Sequence, residues 1–357
     1  MALSIGIVGL PNVGKSTLFN ALVKEAQAAA ENFPFCTIEP NVGIVPVPDD
    51  RLQKLADIVK TEKIIPATVR FVDIAGLVAG AHKGEGLGNQ FLAHIRETDA
   101  IAMVVRCFKN ENVLHVAGKV NPTEDIKTIR LELILADMQT VEKMIASVER
   151  DKKSGNKEAL THHSALSKIH KDLNDEKLAM YTVMTDAEKE SVKYIQLLTQ
   201  KPILYIGNVA EEDLSRDPAD FGLPSDAILI CAKTEAELAT LDEDEQKEYL
   251  TSLGLNESGL IRLVHQAFQT LGLEYYFTAG VQEVRAWTIH KGWTAPQAAG
   301  VIHTDFEKGF IRAEVMSYHD LVEFGSEIKV KEAGRLRVEG KEYIVKDGDI
   351  LHYRFSG

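Results

Sequence analysis

The chain is short of cysteine, of long apolar runs and of positive charge, and each shortage excludes something. Its 3 cysteines, Cys36, Cys107 and Cys231, are scattered and odd in number. They offer neither a disulfide framework nor metal-ligand spacing, so a reducing compartment is expected. No apolar run is long enough to cross a bilayer, so no membrane partner is expected. No basic leader or cleavage site precedes the first apolar stretch, which adds to the expectation of a cytoplasmic location. The 40 Lys and Arg are outnumbered by 53 Asp and Glu, for a net charge of −13. That excludes a surface coated for phosphate neutralisation. The deficit is uneven: residues 278–357 carry 11 basic against 12 acidic side chains, so an RNA-facing surface would lie there or in a local patch. What remains is ordinary globular composition. With 357 residues, 45% hydrophobic and 26% charged, the chain can fill one or two large units or three smaller ones.

The organising stretch is Gly9-Leu10-Pro11-Asn12-Val13-Gly14-Lys15-Ser16, which fits the phosphate-loop pattern G-x-x-x-x-G-K-S. The apolar run Leu3–Val8 precedes it and reads as a buried strand; Ser16–Val23 follows with helical spacing. Strand, glycine-rich turn and helix start together make an anion site, with backbone N–H groups and the helix dipole aimed at phosphate oxygens. Asn12, Val13, Gly14, Lys15, Ser16 and Thr17 are therefore the expected nucleotide contacts. Lys15 should reach the β- and γ-phosphates, and the Ser16 hydroxyl should bind Mg²⁺. A chance glycine-rich turn would lack both flanking elements.

Residues 32–41, with two prolines, read as a loop where nucleotide switches carry their first mobile segment; Thr37 is its candidate ligand for Mg²⁺ and the γ-phosphate. The strand 68–72 runs into Asp73-Ile74-Ala75-Gly76, the D-x-x-G pattern. Asp73 should hold Mg²⁺, and the Gly76 N–H should meet the γ-phosphate. The glycine-rich run 80–88 follows and reads as a second switch, then a helix over 89–98 and a buried strand over 100–107.

From 123 to about 199 the pattern changes. Ile134, Met138, Val141, Ile145 and Val148 recur at coiled-coil spacing, and Leu166, Ile169 and Leu173 suggest a returning helix. Lys152, Lys153 and Lys157 lie near the tip between them, where RNA contact competes with plain solvation. Strands over 201–207 and 227–231 and helices over 235–249 and 259–271 close the first unit. A smaller C-terminal unit follows, with strands expected at 284–289, 310–315, 342–345 and 350–353 around one helix capped by Thr294. That is a β-grasp pattern.

The base-recognition motif is what the chain most plainly lacks. Guanine-specific sites carry N-K-x-D after the penultimate strand; here the quartet is Asn208-Val209-Ala210-Glu211. The lysine is gone and the acid is one methylene longer, so ATP is favoured over GTP. Asn208 then meets adenine, with Ala232 in the Cys231-Ala232-Lys233 loop cradling the base; the competing reading of Asn208 is a turn residue. The glutamine that orients water in Ras-like enzymes is also missing, replaced by Leu77. His82, His115 or a monovalent cation such as K⁺ near Asn12 are the candidates to replace it, and intrinsic hydrolysis should be slow.

Residues 9–16 and 32–41, with Asp73-Ile74-Ala75-Gly76-Leu77, the 208–211 quartet and Tyr276-Phe277-Thr278-Ala279-Gly280-Val281, resemble the YchF subfamily of Obg-like ATPases over essentially the whole chain. The resemblance implies an α/β fold: a P-loop, Ras-like doubly wound sheet (1–122 and 200–275), a helical coiled-coil insertion (123–199) and a C-terminal β-grasp or TGS domain (276–357). It also implies a slow ATPase with a hydrophobic residue in place of the catalytic glutamine, and association with ribosomes. Composition gives no support for the ribosome. The alternatives are a GTPase of the same fold and a nucleotide-gated RNA- or ribosome-binding module with negligible hydrolysis.

Overall fold

The computed structural model describes residues 3–32, 41–74, 87–110, 119–153 and 155–356. The chain opens with β1 (Ser4–Val8), α1 (Lys15–Asn32), β2 (Val42–Pro46), α2 (Asp50–Val59), β3 (Ile64–Ile65), β4 (Thr68–Asp73), α3 (Leu87–Arg96) and β5 (Ala100–Arg106). β1 and β5 are buried at every position, as parallel strands covered on both faces must be. A helical arm comes next: α4 (Pro122–Lys153), α5 (Lys157–Asn174) and α6 (Asp186–Val192). β6 (Ile203–Asn208), β7 (Ile228–Ile230), α7 (Ala232–Leu238), α8 (Glu243–Ser252) and α9 (Gly259–Thr270) return to the first unit. The resulting sheet has the order β2-β4-β1-β5-β6-β7. All neighbours are parallel except β2, which runs antiparallel at the edge, where Pro46 costs no ladder bond.

α4 serves two cores. Ile126, Ile129 and Leu133 pack into the core of this sheet. Farther along, Ile134 and Val141 join Leu166, Ile169 and Leu173 of α5 in a separate core, with Met138, Ile145 and Val148 at its margin. The expected seam and returning helix are present. Val192, Ile195 and Leu197 complete this second core, a contribution with no periodicity to announce it. Asp137, fully buried on α4, ties the arm back: it accepts from the Leu198 N–H (3.0 Å), the Thr199 N–H (2.7 Å) and the Thr199 hydroxyl (2.6 Å).

The C-terminal part contains β8 (Leu273–Ala279), β9 (Val284–His290), α10 (Ala295–Ile302), α11 (Thr304–Lys308), β10 (Phe310–Ser317), α12 (Tyr318–Phe324), α13 (Glu327–Glu332), β11 (Arg337–Glu339) and β12 (Asp349–Phe355). They form a second sheet, ordered β11-β10-β12-β8-β9-β3, with the parallel pair β12–β8 at its centre. Thr294 begins α10 with a capping box to Gln297. The expected strand over 342–345 is not one. Its backbone bonds go to the first residue of α10 and to the turn just before it (Ala295 N–H to Tyr343 O, Val345 N–H to Trp293 O), leaving a single bridge at Ile344. Four helices replace the expected one, and the helix expected over 235–249 breaks between α7 and α8, where Asp242 starts a new capping box. The expected boundary at 275/276 falls inside β8, which belongs wholly to the second sheet.

The two sheets are stitched together. β3, from the first unit, pairs parallel with β9. Arg51 of α2 reaches Asp347 through Nη1 (2.8 Å) and Nη2 (3.2 Å), lies over the Tyr275 and Phe277 rings and bonds Asp49, which also accepts from the Tyr275 hydroxyl at 2.6 Å.

Candidate functional site

The C-terminal ends of β1, β4, β5 and β6 meet at one edge of the first sheet, where open α/β sheets bind ligands. β1 leads into the 9–14 loop. Its backbone turns left-handed at Asn12 (φ 62°) and Gly14 (φ 98°). A Cβ on Gly9 would stand 2.5 Å from the Val104 carbonyl, and one on Gly14 would stand 2.3 Å from Asn208 Nδ2. The loop is thus pressed against its neighbours in a shape that only glycine permits at these two positions.

Lys15 begins α1. It is 8% exposed and donates from Nζ to the Leu10 carbonyl at 3.1 Å. Burial lowers its pKa, and the charge of Asp73 opposes that shift. Asp73, at the end of β4, is half-buried; burial raises its carboxyl pKa and the Lys15 charge works against it. Two opposite charges therefore sit partly desolvated at the mouth of the loop. Ser16 and Thr17 are exposed on the first turn of α1. Among the described residues no three His, Cys, Asp or Glu side chains converge as a metal centre. The Ser16 hydroxyl and the Asp73 carboxylate are, however, the hard oxygen donors that Mg²⁺ takes alongside phosphates and water.

The base-side residues take other partners than the sequence suggests. Asn208 is 6% exposed. Its Nδ2 donates to the Val13 carbonyl at 2.8 Å, and its Oδ1 accepts from the Ala232 N–H at 3.0 Å. It is a strut joining the phosphate loop to the start of α7, which the turn reading does not describe; these two bonds use one N–H and one lone pair of the carboxamide, and a second of each is left over. Ala232 is correspondingly the backbone anchor of that strut. Glu211 receives the Thr234 hydroxyl (2.6 Å) and the Tyr249 hydroxyl (2.9 Å) on Oε2. Those two bonds lower its pKa.

Thr37, Gly76, His82 and His115, with Leu77, lie outside the described residues. Sequence reasoning missed Arg106, which ends β5 nearly fully buried. It donates from Nε to the Phe108 carbonyl (3.2 Å) and from Nη2 to the Asn110 carbonyl (3.1 Å), fixing the chain that leads into 111–118. Its signal was a single charge closing an otherwise apolar strand. Thr234 and Tyr249 were also missed, and no motif marks them.

A family model described as "50S ribosome-binding GTPase" matches residues 4–150, and the YchF-GTPase_C model, described as a protein of unknown function, matches 273–356. The chain is 53% identical to "Ribosome-binding ATPase YchF" of Bacillus subtilis, with 100% of both chains covered. It is 46% identical to the protein of that name from Mycoplasma genitalium, over 99% of each. Its fold matches the Schizosaccharomyces pombe YchF GTPase with a TM-score of 0.87 at 36% identity, covering 99% of this chain and 97% of that one.

Proposed function

The chain belongs to the YchF family, and on that premise we propose that it is a slow ATP-hydrolysing switch that acts at the ribosome in the cytoplasm. The observation that carries this reading is the glycine-bent loop after β1, with Lys15 buried at the start of the helix it leads into and Asp73 ending the neighbouring strand at the same sheet edge. Each charge is held partly desolvated where a triphosphate and a divalent cation would compensate it.

In this reading Lys15 binds the β- and γ-phosphates, while the backbone of Asn12, Val13, Gly14, Ser16 and Thr17 cradles them. Ser16, Thr37 and Asp73 are the groups that would hold Mg²⁺, which would supply charge neutralisation along the phosphates. The Gly76 N–H is assigned to the γ-phosphate. Leu77 cannot orient water, so that task goes to His82, His115 or a K⁺ near Asn12, and hydrolysis waits on the ordering of the glycine-rich run by a partner. The 1–122 and 200–272 segments would act as the nucleotide unit, with the 123–199 arm and the unit from β8 onward offering surfaces to the ribosome and its RNA. The same phosphate loop would serve GTP; the choice of ATP rests on the 208–211 quartet, which lacks the lysine and aspartate of a guanine site.

Phosphate release from ATP and GTP, with and without ribosomes and in K⁺ or Na⁺, tests the proposal. Expected are a low basal rate, stimulation by ribosomes, and loss of both in Lys15→Ala. Equal turnover of GTP, or indifference to ribosomes, would contradict it.

A further inference from the structure

We propose that Thr234 and Tyr249 are specificity-determining residues: they hold the Glu211 carboxylate turned away from the purine and thereby keep guanine out of the site. The proposal rests on the ATP reading above and explains its selectivity.

Guanine presents two adjacent donors, N1–H and the exocyclic amine, which a carboxylate can accept together. Adenine presents one donor and one acceptor. Glu211 is the one acid of the 208–211 quartet and so the group placed to meet guanine. The structure shows that carboxylate already engaged. Oε2 takes the Thr234 hydroxyl at 2.6 Å and the Tyr249 hydroxyl at 2.9 Å, charge-assisted bonds of the stronger kind. The pair leaves its mark on both partners: the two hydroxyl donors lower the acid's pKa, and the same bond raises that of Tyr249.

The donors are well fixed. Thr234 is buried on the first turn of α7, the helix whose leading N–H is bound by Asn208. Tyr249 comes from α8, beyond the break after α7, and brings its hydroxyl back to the same oxygen. The extra methylene of glutamate matters here: it supplies the reach to both hydroxyls that an aspartate would lack. On this view selectivity comes from where the acid is tethered, with its length as the means.

The test is calorimetric titration of the full-length chain with ATP and with GTP in the presence of Mg²⁺. The double variant Thr234→Val/Tyr249→Phe removes only the two donors. It should shift relative affinity toward GTP on the order of tenfold. Adding Glu211→Gln to the double variant should return the ratio to its original value, because the shift acts through the carboxylate. Glu211→Asp, which leaves both donors in place but beyond reach, should move the ratio in the same direction and decides the matter should the double variant not fold. An unchanged ratio, or equal weakening of both nucleotides as a purely structural tie would give, overturns the proposal. If the unaltered chain binds GTP as tightly as ATP, it is the ATP reading that fails, whatever the variants do.

Discussion

Two carboxylates at strand ends are treated in opposite ways. Asp349, at the start of β12 in the second sheet, is 4% exposed and fully engaged within the chain. It takes the Tyr343 hydroxyl (2.7 Å), the Lys346 N–H (3.0 Å) and Arg337 Nη2 (3.5 Å). Asp73, at the end of β4 in the first, is anchored through its backbone N–H to the Asn41 carbonyl. Its side chain stays half-buried, with a raised pKa caused by desolvation and only the Lys15 charge opposing it. A carboxylate satisfied internally builds the fold. One half-buried at the ligand edge of a parallel sheet, its pKa raised by desolvation, is a candidate for ligand binding.

The largest effect is expected at the phosphate loop. Lys15→Ala should weaken ATP binding by about a hundredfold or more, since a charge-assisted contact and the pair's balance are lost together. The circular dichroism spectrum should not change. Asp349→Ala should do the reverse: unpairing three donors in a buried place should cost about 2–3 kcal/mol in denaturant unfolding and leave ATP affinity as it was. If Asp349→Ala altered nucleotide affinity, the division of labour between the two sheets would be wrong. Arg51→Ala should cost less, about 1–2 kcal/mol, because its partner Asp347 is half in solvent. Its effect should appear as earlier amide exchange in β3 and β9 than in β1 and β5.

The smallest effect belongs to the helical arm. Glu188 has its pKa lowered to about 2 by the Lys168 ammonium first, then by the Thr185 N–H and the Ser164 hydroxyl. A folded value below the usual ~4.3 of an unfolded glutamate means the stabilisation is complete above that pH. It fades as pH falls toward about 2. Acid titration followed by amide exchange in α5 and α6 should show that loss in the unaltered chain and a flat profile in Glu188→Gln.

Much of the first sheet could be read from sequence because its information is local. Apolar runs without alternation mark β1 and β5, and a spacing of glycines, lysine and serine marks the loop between β1 and α1. The hydrogen bonds of Asn208 and Glu211 were not legible. Their partners lie 195 and 24 residues away for Asn208, and 23 and 38 for Glu211, and a sequence shows which donors exist but not where they point. The second sheet was harder for a different reason. Its strands are half-exposed, its helices α11 to α13 are too short for a period to emerge, and 342–345 has strand composition while its bonds go to the start of α10 and the turn before it. β8 was cut by the expected boundary although Gly272, left-handed at φ 65°, ends α9 just before it and marks where the second sheet begins.

On the proposed function, this phosphate loop takes ATP in preference to GTP through Lys15. Titrating the nucleotide-free full-length chain with each triphosphate in Mg²⁺, beside Lys15→Ala, tests it most directly. One site is expected, tighter for ATP than for GTP and emptied by the substitution. GTP binding as tight as ATP, or ATP affinity that survives the loss of Lys15, would contradict it.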